Sequence, residues 1–292
     1  MTSYNYKYFI GDTIDSVLVQ SRPADEIIVV DDGSSDGSAE LLNERYHNKQ
    51  NVKIILKENG GQLSAINEGY RHSSGDIICF LDSDDQYEEK YLEKIEQIYV
   101  NNPQIQYITS AYREFGNRDG TISRYNTDAD LGITPVGVYF GNIWTSGPTA
   151  TISARKSMLD QYFPVPYEKD WVISPDACIS IGASMVGARK YFLANPLIKY
   201  RIHDNNAHVV KKLVKYRAII VKFKFMDFAI KKNNMPMDRL VNFIYDEFCT
   251  ITDKNVKKSV FFKYLKIVIR SNKSLLWKAV NLAKIIFKTF CW

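Results

Sequence analysis

The sequence predicts an α/β fold with a doubly wound, Rossmann-like and mostly parallel sheet, because three buried-type strands alternate with helical patterns. Residues 26–30, 52–56 and 76–81 are apolar runs with little polar alternation, which is typical of strands covered on both faces. Helical patterns lie between them, the order expected for parallel strands joined by crossover helices. Since such sheets bind ligands at the carboxyl ends of their strands, we expect a site at that edge.

The connecting segments support the same arrangement. Residues 12–20 predict a short amphipathic helix, and residues 39–46 and 63–71 predict two more. Glycines at 33 and 37 follow the first strand and permit tight turns, whereas those at 60 and 61 precede a helix. Glycine at such positions lets the backbone approach a ligand closely.

Two of the three strands end in carboxylates. Residues 31–38 contain three aspartates, and the run at 76–81 is followed by Asp82, Asp84 and Asp85. Clustered carboxylates that lose solvent repel one another, so they need a cation or hydrogen-bond donors to stay ionised. Oxygen ligands favour a divalent cation such as Mg or Mn. A polar turn that caps a helix near Glu88 would explain the same residues without a metal.

Charge divides the chain into two parts. Residues 1–208 carry a net charge of −9 and residues 209–292 a net charge of +14, which the total of +5 conceals. Basic segments of this kind meet nucleic acid or anionic lipid. Four scattered cysteines without a CxxC pair indicate neither a disulfide framework nor a zinc site and fit a reducing cytoplasm. No signal peptide and no long uncharged apolar stretch is recognisable.

Several short motifs follow one another along the first 208 residues. They are Ser3-Tyr4-Asn5, the acidic segment at 31–38, Asn59-Gly60-Gly61-Gln62 with Asn67-Glu68-Gly69, Leu81-Asp82-Ser83-Asp84-Asp85, and Tyr200-Arg201-Ile202-His203-Asp204-Asn205-Asn206. In this order they resemble the motifs of glycosyltransferase family 2, whose members have the GT-A fold. The resemblance implies a GT-A catalytic domain at residues 1–208. Beyond it, the sequence pattern alone predicts a basic, mostly helical region at residues 209–292, with helices at 209–232 and 236–250.

The resemblance also implies roles for individual residues. Those implied for binding of the donor nucleotide are Tyr4, Asp31, Asp32, Asn59, Gln62 and Asp82. Asp84, the second acid of the Asp-x-Asp motif, and His203 are implied as ligands of Mg or Mn, which bridges the two phosphates. Relatives often carry Arg where this chain has Ile66, and Gln62 is a candidate substitute.

A catalytic base is implied because family 2 enzymes invert the anomeric configuration in a single displacement. Asp176 is the candidate, since it follows Pro175 at the start of a predicted helix, where the helix dipole stabilises a carboxylate. Asp170 is the alternative, because Ser-Pro-Asp departs from the family pattern. Trp144 and the residues up to 149 are candidates for the acceptor-side wall, with core packing as the alternative.

The activity implied is that of an inverting, metal-dependent glycosyltransferase. It would move a sugar from a nucleotide diphospho-sugar, most simply a UDP-sugar, to a hydroxyl of a glycan or lipid-linked acceptor in bacterial cell-surface polysaccharide or glycolipid synthesis. The alternative is a non-catalytic sugar-nucleotide or metal binding module. It arises because the chain begins at the turn that follows the family's first strand, so this strand is apparently lacking and its neighbours would have unpaired backbone groups.

The C-terminal region predicts membrane contact. If residues 274–290 form a helix, its polar residues lie on a narrow stripe, and the rest of its surface is apolar with basic flanks. This pattern is typical of a helix that lies in a membrane interface. The expected location is therefore cytoplasmic and peripheral at the inner face of the cell membrane. Packing of this helix on the catalytic domain or on a second subunit is the alternative. Nucleic acid is not expected as a partner, since the apolar surface suits lipid better than phosphate.

Overall fold

The structure, a computed structural model, describes residues 1–169, 171, 175–204, 214–234 and 237–290. The α-helices are Lys7–Leu18 (α1), Ser38–Tyr46 (α2), Gln62–Arg71 (α3), Tyr91–Asn101 (α4), Pro135–Gly141 (α5), Lys156–Leu159 (α6), Pro175–Met185 (α7), Val214–Lys232 (α8), Ile244–Thr250 (α9), Lys254–Arg270 (α10) and Leu275–Phe290 (α11). Short 3₁₀ helices occupy Thr149–Thr151 and Met237–Phe243.

Twelve strands are present in the described residues. They are Thr2–Ser3 (β1), Ile27–Asp31 (β2), Val52–Leu56 (β3), Ile77–Cys79 (β4), Gln86–Tyr87 (β5), Tyr107–Ser110 (β6), Tyr112–Gly116 (β7), Gly120–Ile122 (β8), Ala129–Gly132 (β9), Ile152–Arg155 (β10), Lys190–Leu193 (β11) and Ile198–Ile202 (β12). They form sheets in the orders β1-β2-β3, β4-β10-β6-β11-β9 and β5-β12-β7-β8. The predicted alternation of strands and helices in the first 101 residues is confirmed.

Strand direction differs from the prediction in the second sheet. The β1-β2-β3 ladder is parallel throughout, but β10 runs antiparallel to both β4 and β6. β10 is antiparallel to β4 because it begins beside the end of β4. The backbone N–H of Phe80, just beyond β4, bonds the carbonyl of Ile152, the first residue of β10. The chain therefore enters β10 at the carboxyl end of β4 and runs back along it, with no crossover helix.

The strand that the sequence apparently lacked is present over two residues. In β1, Thr2 pairs with Val30 of β2 and forms an isolated parallel bridge with Asp82. The ammonium group of Met1 donates to the carbonyl of Ile28 at 2.8 Å, and burial lowers its pKa to about 6. A cavity of about 320 Å³ lies along β2 and β4 beside these residues. A single backbone bridge therefore links the first sheet to the segment after β4 at the edge where the carboxylates lie.

The C-terminal helices share a hydrophobic core with the rest of the chain. One cluster packs α1, α2 and α4 against β2. The other contains Leu63 of α3 and Cys178 of α7, and it extends to Phe225, Phe248 and Ile285 in α8, α9 and α11. The predicted helices at 209–232 and 236–250 are observed as α8, a 3₁₀ segment and α9, with residues 209–213 and 236 outside the described parts.

One buried carboxylate joins these helices to the sheet region. Glu247 of α9 accepts the backbone N–H groups of Val136 (2.6 Å) and Gly137 (2.8 Å) in the first turn of α5. It also accepts the hydroxyl of Tyr264 of α10 at 2.5 Å. Burial raises the pKa of Glu247 to about 7, although these three hydrogen bonds oppose the shift. Its protonation therefore affects the stability of the folded protein.

We expect stability to decrease as pH rises from 5 to 8 because of this residue. The folded protein holds a proton on Glu247 up to about pH 7, whereas the unfolded chain loses it near the usual value of 4.5. The contribution is complete below the unfolded pKa, and about 2–3 kcal/mol of it is lost between pH 5 and pH 8. Urea denaturation of wild type and Glu247→Gln at both pH values measures it. The difference between the two proteins should change by about this amount.

The exposed residue Glu44 of α2 supplies the matched control. Glu44→Gln should follow the wild-type pH dependence. An equal pH dependence in wild type and Glu247→Gln would contradict the assignment.

Candidate active site

The two acidic segments meet at one edge of the molecule. Asp32 donates its backbone N–H to the carbonyl of Ser3 in β1, and Thr2 of the same strand bridges to Asp82. Because adjacent strands lie about 4.8 Å apart, the backbones of the two segments are separated by about 10 Å. The sequence prediction that both groups of carboxylates share the carboxyl edge of the sheet is therefore met for Asp32 and Asp82.

Asp31 and Asp32 are buried and hold their own loops. Asp31 accepts the backbone N–H and the hydroxyl of Ser34 at 2.9 and 2.6 Å. Asp32 accepts Lys57 Nζ at 2.6 Å and the N–H groups of Gly60 and Gly61 at 3.0 and 2.7 Å. Both oxygens of Asp32 are thus engaged in fixing the loop at 59–61. The predicted role of these acids in donor binding remains a prediction, and the structure gives them a positioning role beside it.

Close approach of the two loops depends on Gly33. Its φ angle is +77°, and a Cβ there would lie 2.8 Å from the backbone nitrogen of Asn59. A side chain at this position would push the loops apart. Two predicted nucleotide-binding residues are exposed nearby, namely Asn59 on the second of these loops and Tyr4 directly after β1.

Asp82 contacts one of the residues predicted to bind the donor and lies near the predicted base. Its carboxylate accepts the side-chain amide of Gln62 at 2.8 Å, so these two predicted donor-binding residues are in contact. Burial first, and then the charges of Asp84 and Asp176, raise the pKa of Asp82 to about 7 against an opposing hydrogen bond from Thr149. The predicted base therefore lies close enough to Asp82 to affect its ionisation.

The two predicted metal ligands are in direct contact. His203 Nε2 lies 2.9 Å from Asp84 Oδ2, and both side chains are largely buried. The His203 ring packs against Phe9 and Tyr6, with centroids 5.1 and 5.8 Å away. These aromatic contacts fix the imidazole at the carboxylate.

Asp85 and Arg201 belong to the site but were not among the predicted site residues. Asp85 is fully buried; its Oδ1 accepts the backbone N–H of Arg201, and its Oδ2 has no hydrogen-bond partner among the described residues. Burial and then the charges of Asp84 and Asp82 raise the pKa of Asp85. Arg201 lies between the rings of Phe9 and Phe115 and donates Nε to the carbonyl of Asp84. Their positions inside two recognised motifs were the signal available in the sequence.

The donor atoms at this edge fit a divalent cation. Within the described ranges no group of three or more His, Cys, Asp or Glu side chains is already arranged to hold a metal. Asp84 and His203 nevertheless bring a carboxylate oxygen and an imidazole nitrogen next to each other. Part of the rise in the pKa values of Asp82 and Asp85 is caused by repulsion from the charge of Asp84. A divalent cation would relieve that repulsion and take its remaining ligands from a substrate.

Asp176 lies in the first turn of α7, as the sequence predicted. The alternative base, Asp170, lies outside the described residues. Lys190, which the sequence gave no reason to single out, is buried and links this helix to the segment that follows α5. Its Nζ donates to the hydroxyls of Thr145 (2.9 Å) and Ser184 (2.7 Å). Burial, with a contribution from a nearby arginine, lowers the pKa of Lys190 to about 7.

Comparisons with known proteins agree with this geometry. The sequence model described as glycosyl transferase family 2 matches residues 1–163, more than half of the chain. An uncharacterized glycosyltransferase from Nostoc sp. is 30% identical over 213 residues, which make up 72% of this chain and 65% of the relative. The poly-β-1,6-N-acetyl-D-glucosamine synthase of Staphylococcus aureus is 37% identical over 84 residues, or 29% of this chain and 20% of the synthase. The chain thus spans less than two thirds of each of these relatives.

Solved structures support the fold. The crystal structure of S. aureus TarS 1-349 in complex with UDP-GlcNAc superposes with a TM-score of 0.61 at 17% sequence identity, covering 97% of this chain and 88% of the other. A second crystal structure of the same protein, in complex with UDP, gives a TM-score of 0.58. The predicted GT-A fold, with a C-terminal helical appendage, is confirmed. On the match over residues 1–163, this chain belongs to glycosyl transferase family 2.

Proposed function

We propose that this protein is an inverting, metal-dependent glycosyltransferase that moves a sugar from a nucleotide diphospho-sugar to an acceptor hydroxyl. The observation that carries the proposal is the approach of Asp82, Asp84, His203 and Asp176 at one sheet edge. Such a site can hold a pyrophosphate and a base on opposite sides of a sugar. Membership of family 2 supports the reaction class.

The donor would lie along the two loops joined by Asp32. Tyr4 and Asn59 present exposed side chains there, while Asp31 and Asp32 keep the loop backbones in place. Gln62 bonds Asp82 and would fix its carboxylate toward the ribose. A UDP-sugar is the donor class we propose, because the structural neighbour TarS is described in complex with UDP-GlcNAc.

Asp84 and His203 would hold Mg or Mn at the diphosphate. When bound, the cation neutralises charge that develops on the departing nucleoside diphosphate. Arg201 is held between two aromatic rings and bonds the carbonyl of Asp84. It thereby fixes the backbone that carries the metal-binding carboxylate.

Asp176 would accept the proton of the acceptor hydroxyl. The N-terminus of α7 favours its ionised form. Lys190 donates hydrogen bonds both to Ser184 of α7 and to Thr145 of the 144–147 segment, and thereby holds the helix in place. The acceptor that we propose is a glycan or lipid-linked glycan of a bacterial cell surface. The similarity to a staphylococcal polysaccharide synthase supports this class.

A non-catalytic sugar-nucleotide binding module is the second candidate. The engagement of both Asp32 oxygens inside the protein favours it. The substitutions below distinguish the two functions, since a binding module would keep donor affinity and have no turnover to lose.

We also propose that α11 attaches the enzyme to the membrane surface. None of the described helices is long and apolar enough to cross a bilayer. The exposed apolar side chains of α11 are Leu275, Leu276, Val280, Ile286, Phe287 and Phe290. At 3.6 residues per turn they occupy one continuous arc of about 140°.

The side of α11 that faces the protein is the more polar one. Asn281 and Ile285 are its buried residues, and Lys284 lies with its Nζ 5.2 Å from the ring centroid of Tyr245. Most of the apolar arc therefore points away from the core, the reverse of a helix that only packs on its own domain. Phe290, at the end of the helix, also packs on Phe261 of α10. Together with the net charge of +14 in residues 209–292, this arrangement favours an anionic lipid surface as the occupant.

Substitution of Asp84 tests the metal-dependent reaction. We expect Asp84→Asn to lower nucleoside diphosphate release from a UDP-sugar with Mn by about 10²- to 10³-fold, because a ligand to the charge-neutralising cation is lost. Binding of Mn with UDP, measured by thermal shift, should weaken in parallel. Asp119→Asn, at an exposed turn, is the control and should behave as wild type. Turnover of Asp84→Asn close to wild type would argue against this assignment.

Substitution of Asp176 tests the base. Asp176→Asn should lower kcat for transfer by about 10²- to 10⁴-fold, because proton removal from the acceptor is lost. The Kd for the donor should change little, since the residue does not hold the nucleotide. Asp170→Asn, measured in parallel, should retain transfer. If Asp170→Asn loses transfer and Asp176→Asn keeps it, the roles are reversed.

Replacement of two exposed apolar residues tests the membrane surface. We expect Leu276→Glu with Phe287→Glu to reduce cosedimentation with phosphatidylglycerol-containing vesicles by more than about tenfold, since two buried side chains contribute about 1.5–3 kcal/mol each. Val100→Glu with Val19→Glu adds the same charge at exposed apolar positions of the body and should bind as wild type. Wild-type protein that fails to sediment with these vesicles would refute the proposal.

A further inference from the structure

A second cavity of about 310 Å³ lies where the C-terminal helices meet the sheet region. Its volume suits one sugar ring with a substituent. Three segments enclose it, namely residues 124–125 between β8 and β9, residues 143–145 after α5, and one face of α10. The lining residues are Arg124, Tyr125, Leu131, Thr134, Ile143, Trp144, Thr145, Ile251, Val256, Ser259, Val260, Lys263 and Tyr264.

Charge in this cleft has one sign. Arg124 and Lys263 are the charged members of the lining, which contains no carboxylate. Arg124 donates to the carbonyls of Trp144 and Ser146, and Lys263 is exposed on α10. In the described part of the chain neither cation forms an ion pair with a carboxylate. Two cations facing one cavity without a counter-charge favour an anion there.

The cleft also offers an aromatic surface. Trp144 is 39% exposed although its carbonyl is held by Arg124, and Tyr125 lies beside it in the lining. A partly exposed Trp held by its backbone presents a rigid ring face, on which a sugar can pack.

One segment of chain separates this cleft from the candidate base. Thr145 lines the cleft, and its hydroxyl accepts from Lys190, which also bonds Ser184 of α7. The next residue, Ser146, is hydrogen-bonded to Tyr107 at 2.5 Å. Burial is the main cause that raises the pKa of Tyr107; Asp176 adds to it and Arg124 opposes it. Both charges are thus near the same hydroxyl.

We propose that this cleft binds the acceptor through an anionic group, with Arg124 and Lys263 as the binding cations and Trp144 as the sugar platform. The substrate class is therefore an acceptor glycan that carries a phosphate or a carboxylate near the reacting hydroxyl. This inference rests on the proposed transferase function for its role, but the anion-binding property stands on the cleft alone. A uronic acid and a sugar phosphate share the required chemistry.

Binding of small probes to the full chain tests the site directly. Glycerol 3-phosphate and glucuronate are titrated by calorimetry, with glycerol and glucose as their neutral counterparts. We expect saturable binding of at least one anion and none of the neutral probes, and the preferred anion identifies the source as phosphate or carboxylate. Lys263→Gln should weaken that binding by about tenfold or more, because a charge-assisted hydrogen bond is lost. Lys266→Gln, on an exposed position of the same helix outside the lining, should bind as wild type.

Two further variants separate charge from loop structure. Arg124→Gln removes the charge and the bonds to the 144–147 segment, whereas Arg124→Lys keeps the charge. Anion binding retained in Arg124→Lys and lost in Arg124→Gln supports the proposal. Unchanged anion binding in Lys263→Gln, or equal binding of neutral and anionic probes, overturns it.

Donor hydrolysis in the absence of acceptor reports on the proposed function separately. It should be unchanged in the control Lys266→Gln, and the KM for an anionic acceptor should rise about tenfold in Lys263→Gln but not in Lys266→Gln. Anion binding without any nucleoside diphosphate release would leave the cleft assigned and the transferase function rejected. Release of nucleoside diphosphate without anion binding would reject the cleft assignment and support the transferase function.

Discussion

Repulsion among buried carboxylates is the constraint on which the arrangement of this molecule depends. Asp82, Asp84 and Asp85 occupy three of four consecutive positions, and burial together with mutual repulsion raises the pKa of Asp82 and of Asp85. Neighbouring elements contribute compensating groups, including the side-chain amide of Gln62 at Asp82 and the backbone N–H of Arg201 at Asp85. Such a cluster costs folding free energy unless it is compensated. Its retention at a sheet edge is consistent with a site that receives a cation and a diphosphate.

The sequence predicted the parts of this site that follow from local patterns. Apolar runs that end in aspartate located β2 and β4, and the helix pattern after Pro175 located Asp176 at the start of α7. It could not predict partners that the fold brings together over long distances. Lys190 contacts residues of α7 and of the 144–147 segment, yet in sequence it is an ordinary basic residue before a strand. The antiparallel direction of β10 likewise depends on where the chain enters the sheet.

Amphipathic pattern alone also leaves the orientation of a helix undetermined. The sequence of α11 predicts a polar stripe and a wide apolar surface, and the usual expectation is that the apolar side faces the core. In the structure Asn281 faces inward, while Leu276 and Phe287 face outward. Tertiary packing decides this, because α10 and α9 already fill the core with Phe248, Val260 and Tyr264. The apolar arc is consequently available to an external partner.

The C-terminal helices connect the buried Glu247, the cleft beside Trp144 and the apolar arc of α11, which are separate features in the sequence. Tyr264 of α10 bonds Glu247, which holds the first turn of α5, and α5 leads directly into the segment that carries Trp144. Lys263, the adjacent residue of the same helix, faces the cleft beside that segment. A helix pair whose outer surface suits lipid and whose inner surface builds the acceptor cleft would place an anionic, lipid-linked glycan next to Asp176. On these two proposals the basic region would be part of the acceptor site, and its charge would act both on the membrane and on the substrate.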